Sequence, residues 1–285
     1  MSPHYSKKLA SAVREAKSRL TLIGKILRSG KLNGRVLFAL NPSVRVRRVL
    51  PSAVYPQALP LQPDLVRGWK PYPLFNGATT ETESFSCHTS VLVKGHIPHP
   101  PHRHREEEIL IMLSGEGDVI LPEVDGPNGE HVIRLKLGQF VYYPAGFPHT
   151  LQAVSEEPAN YLMFKWYARP KAVDSLLNYG FFDLADFISG EVKKGFVASK
   201  LFEGPTGCLK KLHCHASTLT PGASYEPHKD PYDVALIILE GEVETLNRRA
   251  APHDVIFCAA GEPHGIRNPG TFPAKYLVFE FHGRF

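Results

Sequence analysis

From about residue 75 onward, apolar residues come in short runs of four to eight, as in Tyr161-Leu-Met-Phe164, and Gly, Pro and Asn-Gly separate them. Runs of that length between turn formers predict β-strands in a sandwich or barrel. The first fifty residues follow another rule. Leu9, Val13, Ala16, Leu20, Ile23 and Leu27 recur at spacings of four and three, which lines one face of a helix, and Gly30 with Asn33-Gly34 ends it. Val36–Leu40 and Val44–Val46 then predict short strands, and the Pro-rich Pro51–Pro73 an extended connector. A second interruption lies at Pro170–Lys194, where Val173, Leu176, Leu177, Phe181, Leu184, Phe187 and Ile188 keep roughly helical spacing. A helix or helix pair between two β domains is expected there.

An internal repeat supports the two-domain reading. Cys87-His-Thr-Ser-Val-Leu-Val-Lys-Gly95 and Cys214-His-Ala-Ser-Thr-Leu-Thr-Pro-Gly222 share Cys, His, Ser, Leu and Gly in register, 127 positions apart. Gly115 matches Gly241 at 126, and Gly146-Phe-Pro-His149 and Tyr161-Leu-Met-Phe164 match Gly261-Glu-Pro-His264 and Tyr276-Leu-Val-Phe279 at 115. The offset falls between Gly115 and Gly146, so copy one carries a longer hairpin, assigned to the turn-rich Val124–Gly129. The expected organisation is a basic helix and extended arm over 1–74, a β domain over 75–170, a helical linker over 171–194 and a second β domain over 195–285.

Charge adds an asymmetry. Of 285 residues, the first 50 hold twelve Lys or Arg against one acid, Glu15, so a net +5 divides into +11 there and −6 elsewhere. A basic arm on an acidic body points to docking on the body or on a second subunit, with an anionic membrane surface, nucleic acid or an organellar transit role as alternatives. Nucleic acid is disfavoured, because the arm lacks interleaved aromatics, zinc-finger spacing or a recognition-helix signature. Cys87, Cys208, Cys214 and Cys258 form no CxxC pair, which gives neither a disulfide framework nor a cysteine-based zinc knuckle. No apolar run reaches the ~18 residues of a membrane span, and no apolar stretch opens the chain as a secretory signal would. A cytoplasmic setting is expected.

The chemistry concentrates in copy one. His102 and His104 stand at i and i+2, which on a strand places both imidazoles on one face, and Glu108 keeps that parity. Gly138, Pro144 and Gly146 shape a turn that delivers His149. His96 and His99, in the adjacent Pro-rich loop, are read as packing or surface residues.

These residues resemble the two motifs of the cupin superfamily. The first, H-x-H-x3-E-x6-G, is His102, His104, Glu108 and Gly115, with Gly95 one residue further ahead than usual; the second, G-x5-P-x-G-x2-H, is Gly138, Pro144, Gly146 and His149, with Ala153 where an Asn often follows. The resemblance implies a bicupin, mainly β, with two tandem double-stranded β-helix (jelly-roll) barrels. It implies His102, His104, Glu108 and His149 as ligands of one divalent transition metal per chain, iron first and manganese, nickel, zinc or copper after it. Paired barrels and a homo-oligomer, a dimer, are also implied.

Copy two is degenerate. Aligned on Gly222 and Gly241, it has His228 and His264 at the first and last ligand positions but Asp230 and Val234 at the other two, and His253 and Ala259 replace the first Gly and the Pro of the second motif. It reads either as a site kept for packing or as a second centre of two histidines and one carboxylate, His228, Asp230 and His264. In the second reading Lys275 or Arg267 would pair an acidic co-substrate. His213 and His215 align with Ser86 and His88, off the ligand positions, and are assigned to the barrel wall.

A metal with open positions in an apolar barrel predicts an enzyme acting on a small oxygen-rich molecule, with a dioxygenase as the leading form. A metal-dependent isomerase, epimerase or lyase on sugar-type substrates would need the same ligands, and a non-catalytic binding or storage cupin would keep the barrel. Glu106 is a candidate acid or base beside Glu108, though the Glu106–Glu107 pair also reads as a solvated charge run. Tyr142 and Tyr143 are candidates for a substrate hydrogen bond or for packing.

Overall fold

Successive residues of a strand face opposite ways, so each strand here serves two neighbourhoods at once. The computed structural model describes residues 49–122, 129–170, 176–186 and 195–283; the expected N-terminal helix, the strands expected before residue 47 and the tip of the longer hairpin lie outside the described residues. The Pro-rich stretch contains β1 (Ala53–Tyr55) and the start of β2 (Trp69–Gly77). Copy one supplies β3 (Ser84–Leu92), β4 (Glu107–Ser114), β5 (Glu116–Pro122), β6 (Glu130–Lys136), β7 (Gln139–Tyr143), β8 (Thr150–Ala153) and β9 (Ala159–Tyr167). Between the copies run β10 (Gly180–Asp183) and β11 (Phe196–Gly204). Copy two supplies β12 (Lys211–Leu219), β13 (Ser224–His228), β14 (Asp233–Glu240), β15 (Val243–Thr245), β16 (Arg248–Ala250), β17 (Val255–Cys258), β18 (His264–Arg267) and β19 (Ala274–His282).

Domain 1 pairs a six-stranded sheet, β10-β7-β4-β9-β3-β2, with a three-stranded one, β6-β5-β8; domain 2 pairs β1-β17-β14-β19-β12-β11 with β13-β18-β15-β16. One face of each large sheet lines its own barrel, and the other meets the partner domain. In β9, Leu162, Phe164 and Trp166 belong to the core shared by both domains, while Tyr161 and Met163 belong to the interior of barrel 1. Across the shared core Phe85 meets Phe281 with ring centroids at 4.6 Å, Trp166 meets Phe281 at 5.1 Å and Phe140 meets Phe279 at 5.8 Å. Aromatic rings of this size each remove a large apolar area from water there.

The domains also exchange edge strands. β1 precedes domain 1 yet pairs with β17 of domain 2, Val54 opposite Ile256, and β10, its counterpart 127 residues on, precedes domain 2 yet pairs with β7 of domain 1, Phe182 opposite Phe140. Each covers an edge that would otherwise present unpaired backbone.

The connector corrects one expectation. Its described part forms β10 and a single 3-10 turn, Leu184–Asp186, in place of a helix; residues 171–175 and 187–194 lie outside the described residues. Phe182 stacks on Phe140 at 4.9 Å and Leu184 is buried, whereas Phe181 turns outward. A spacing that suits one face of a helix also suits this arrangement, and the open edge of β7 decides between them.

A second correction concerns Glu107, which the sequence places in a solvated run. It is fully buried. Its carboxylate accepts hydrogen bonds from Trp166 Nε1 at 2.8 Å, Thr206 Oγ1 at 2.7 Å and the Cys208 amide at 3.0 Å, which ties domain 1 to the start of domain 2. Burial pushes its pKa up, against the pull of Thr206 and the Cys208 amide. Asp233 is its counterpart, 126 residues on. It accepts from the Ala260 amide at 2.9 Å, and burial raises its pKa to about 6 against the pull of Thr79, which stands 127 residues before Thr206.

The offset between the copies takes structural form in their hairpins. β5 and β6 each have seven residues, β15 and β16 three. The shorter pair turns on Leu246-Asn247, with φ of 50° and 58°. Two positive φ values in a two-residue loop match a type I′ turn, whose twist suits flanking strands.

Candidate metal centres

The motif residues of copy one sit where loops are clamped together. His102, Arg103 and His104 precede β4 outside any ladder, so the expected strand is reduced to a single bridge. His102 and His149 exchange amide-to-carbonyl bonds at 3.2 Å, and the Gly146 amide donates to the His104 carbonyl at 2.7 Å. Gly146 has φ of +75°, the left-handed turn that returns the chain toward β4. Gly115, at φ +66°, admits no side chain: an added Cβ would lie 2.9 Å from backbone atoms of Pro158 and Ala159.

These clamps bring one ring nitrogen each of His102, His104 and His149 within 4.8 Å of one another. Glu108 lies fully buried beside them, its Oε2 3.1 Å from His104 Nε2 and its Oε1 3.6 Å from His149 Nε2. His104 Nδ1 donates to the Glu106 carbonyl and His149 Nδ1 to the Phe147 carbonyl, both at 2.9 Å. Holding the proton on Nδ1 leaves Nε2 as the lone-pair nitrogen, the usual outer support of a metal-binding imidazole.

Does this set fit a cation? Two donors that each lie ~2.1 Å from a common ion at right or tetrahedral angles are roughly 3.0–3.4 Å apart, close to the spacings around Glu108. Glu108 Oε1 and His102 Nδ1 are both buried with no hydrogen-bond partner. A buried carboxylate oxygen left without a donor is costly, and a cation between it and the imidazoles would satisfy it. The donor set therefore fits a divalent transition metal.

Lys165, which sequence reasoning missed, also belongs to this centre. It stands opposite Glu108 on β9, and its Nζ lies 3.0 Å from Glu108 Oε2. Burial pushes the Glu108 pKa up, but the adjacent His104 and His149 rings and the Lys165 charge outweigh it, and the carboxyl is held well below its usual range. His102 is lowered to about 4, by burial first and then by neighbouring His99, His149 and His104. His99, read as bland, packs edge-on against His102 with centroids at 3.9 Å.

The weaker candidates separate. Tyr143 stacks on His149 at 4.2 Å, nearly parallel, inside barrel 1. Tyr142 points the other way, into the core between the domains, where it stacks on Trp166, so it is a packing residue and not a site residue. Adjacent strand positions face opposite sides, which explains the split. Glu106 is partly exposed ahead of β4; its carbonyl holds His104 and its carboxylate pairs with Arg105.

Domain 2 repeats the clamp with fewer donors. The Gly261 amide donates to the Asp230 carbonyl at 2.7 Å, and His228 and His264 donate through Nδ1 to the carbonyls of Glu226 and Glu262. Asp230 Oδ2 lies 3.2 Å from His264 Nε2 and 3.5 Å from His228 Nε2, so the three residues do converge. Val234, at the position of Glu108, is buried and apolar, and a cavity of about 290 Å³ opens beside it. Arg267 pairs with Glu244, and Lys275 lies 2.9 Å from Glu240.

A model of the cupin domain matches residues 88–165 and again 216–280, together half of the chain. The chain belongs to the cupin family. Both matches fall on the repeats, so it is a bicupin. Among solved structures this cupin is similar to oxalate decarboxylase OxdC of Bacillus subtilis, at 15% identity and a TM-score of 0.56, over 84% of this chain and 78% of that one. It is also similar to the formate complex of Lactobacillus farciminis oxalate decarboxylase, at 13% identity and a TM-score of 0.57, over 84% and 88%. A cupin 2 conserved barrel domain protein from Leptotrichia buccalis is similar at 15% identity and a TM-score of 0.52, over 75% and 88%. The B. subtilis enzyme has Mn(II) centres. At these identities the likeness is one of fold. No curated protein sequence matches the chain.

Proposed function

We propose that this bicupin is a metal-dependent enzyme acting on a small, oxygen-rich, anionic molecule at the domain 1 centre. The observation that carries this reading is the convergence of His102, His104 and His149 on the buried Glu108, whose Oε1 has no other partner. A bound divalent metal there would supply a Lewis acid with open positions. His102, His104, His149 and Glu108 would hold it, with the Glu106 and Phe147 carbonyls keeping two of the imidazoles in the binding tautomer. Lys165 orients Glu108 and places a positive charge beside the site, which favours a substrate bearing a carboxylate or enediolate. Tyr143 keeps His149 in place by stacking.

The leading reaction is dioxygen-dependent cleavage or oxidation, with iron as the metal. A redox-neutral lyase reaction is the second reading, favoured by the likeness to oxalate decarboxylases, and with it manganese gains weight. Protein loaded in turn with iron and manganese, incubated with small dicarboxylates and hydroxy acids in an oxygen electrode, separates them. Oxygen uptake matching product formation supports the dioxygenase; carbon dioxide release without net oxygen uptake supports the lyase; turnover with neither supports an isomerase. No turnover of any candidate, with metal bound, moves the protein to ligand binding. We further place it in solution as a homodimer in the cytoplasm, a state that sedimentation of the full chain would test.

A further inference from the structure

Domain 2 has a carboxylate in a different place. Where domain 1 pairs Glu108 with Lys165 across two strands, domain 2 pairs Val234 with Glu280 at the same ladder position. The acid missing from the motif position stands one strand over, and there it meets imidazoles. His213 lies directly opposite Glu280, and His215 follows two residues on, on the same face of β12. One donor atom from each of His213, His215 and Glu280 lies within 4.8 Å of the others. In domain 1 the corresponding residues are Ser86, His88 and Lys165, a set with one imidazole and no carboxylate.

The surroundings of the three residues are those of a supported site. His213 Nδ1 donates to Glu203 Oε2 at 3.0 Å, which leaves Nε2 with its lone pair. His282 Nε2 donates to Glu280 Oε2 at 2.9 Å and fixes that carboxylate, while the His282 ring lies against Tyr232 with centroids at 3.8 Å. His215 Nδ1 is buried and has no hydrogen-bond partner. His215 and Glu280 both line the 290 Å³ cavity of barrel 2. Two imidazoles and a carboxylate, two of the three facing a cavity, make an incomplete coordination shell with room for a further donor.

We propose that His213, His215 and Glu280 form a divalent-cation site in the wall of the second barrel, apart from His228, Asp230 and His264 at the motif position. It takes a borderline ion of the zinc or cobalt class, and its open positions face the cavity, where an oxygen atom of a small molecule completes the shell. This does not rest on catalysis at domain 1.

The test uses the full chain, stripped by chelator, with Zn²⁺ as the probe and zinc per chain read by plasma mass spectrometry and titration calorimetry. His102→Ala with His149→Ala first empties domain 1. In that background zinc binding is expected to remain, to weaken at least tenfold on Glu280→Gln or on His215→Gln, and to persist through His228→Ala with His264→Ala. Both single changes preserve side-chain size, and thermal melts matching the parent establish that lost zinc is not lost fold; Co²⁺ absorption gives a second readout. The proposal is overturned if no zinc binds in the background, if both single changes leave its affinity unchanged, or if the His228 and His264 pair alone removes it.

Discussion

The two barrels share a fold and a clamp but have diverged in where they place charge. In domain 1 the carboxylate of Glu108 and the ammonium of Lys165 face each other across β4 and β9 beneath three imidazoles. In domain 2 the same ladder position holds Val234 and Glu280, and a cavity takes the place of the buried carboxylate. The backbone is indifferent to this exchange: Gly146 and Gly261 make the same turn, and their amides hold the carbonyls of His104 and Asp230 at the same 2.7 Å. A barrel wall held by ladder hydrogen bonds tolerates changes of inward-facing side chains, so the two copies could part chemically without parting in shape.

The largest expected effect tests the claim that domain 1 holds the stronger centre. His149→Ala is expected to weaken its metal affinity on the order of a thousandfold, about 4 kcal/mol, while His264→Ala leaves that site unchanged. Calorimetric titration of both variants checks this, and equal losses would erase the contrast between barrels.

Next come the two latch carboxylates. Glu107→Ala deletes the acceptor shared by Trp166, Thr206 and Cys208 at the domain boundary and is expected to cost about 3 kcal/mol in urea unfolding. Its counterpart is expected to act through pH. The folded Asp233 titrates at about 6, above its ordinary value of 3.8, so between those values the folded chain binds more protons than the unfolded one. Its contribution is fully present below the unfolded value and is lost as pH rises toward 6. Asp233→Asn should remove this slope, roughly 2 kcal/mol between pH 4 and 6. Unfolding midpoints of variant and parent across that range decide it; parallel curves would show that Asp233 is not the titrating latch.

The smallest effect concerns a turn. His253, at φ +73°, stands where copy one has Gly138 at φ +82°. A residue with a Cβ is strained in that conformation, so His253→Gly is expected to stabilise the chain by about 1 kcal/mol. Thermal unfolding checks it, and a lower midpoint would mean that the His253 side chain contributes more than the turn costs.

Much of the molecule was legible without coordinates. The repeat and the longer hairpin of copy one follow from spacing, because turns are local properties of the backbone, and the four motif residues of domain 1 follow from the resemblance to the cupin motifs. The charge-run reading misled at Glu107, because β4 begins there and carries its side chain into the domain boundary. Strand parity could not say which of Tyr142 and Tyr143 faces the site until the two faces of β7 were known. Lys165 and Glu280 were silent in the sequence, each lying far along the chain from the residue it faces.

The cupin architecture, its duplication and the intact and broken ligand patterns are all written in residues a few positions apart. The exchange of β1 and β10 between domains, the burial of Glu107 and the meeting of Glu280 with His213 and His215 emerge only in the folded chain. These depend on contacts between distant segments, where an open sheet edge or an unpaired buried charge selects its partner and local pattern carries no record of the choice.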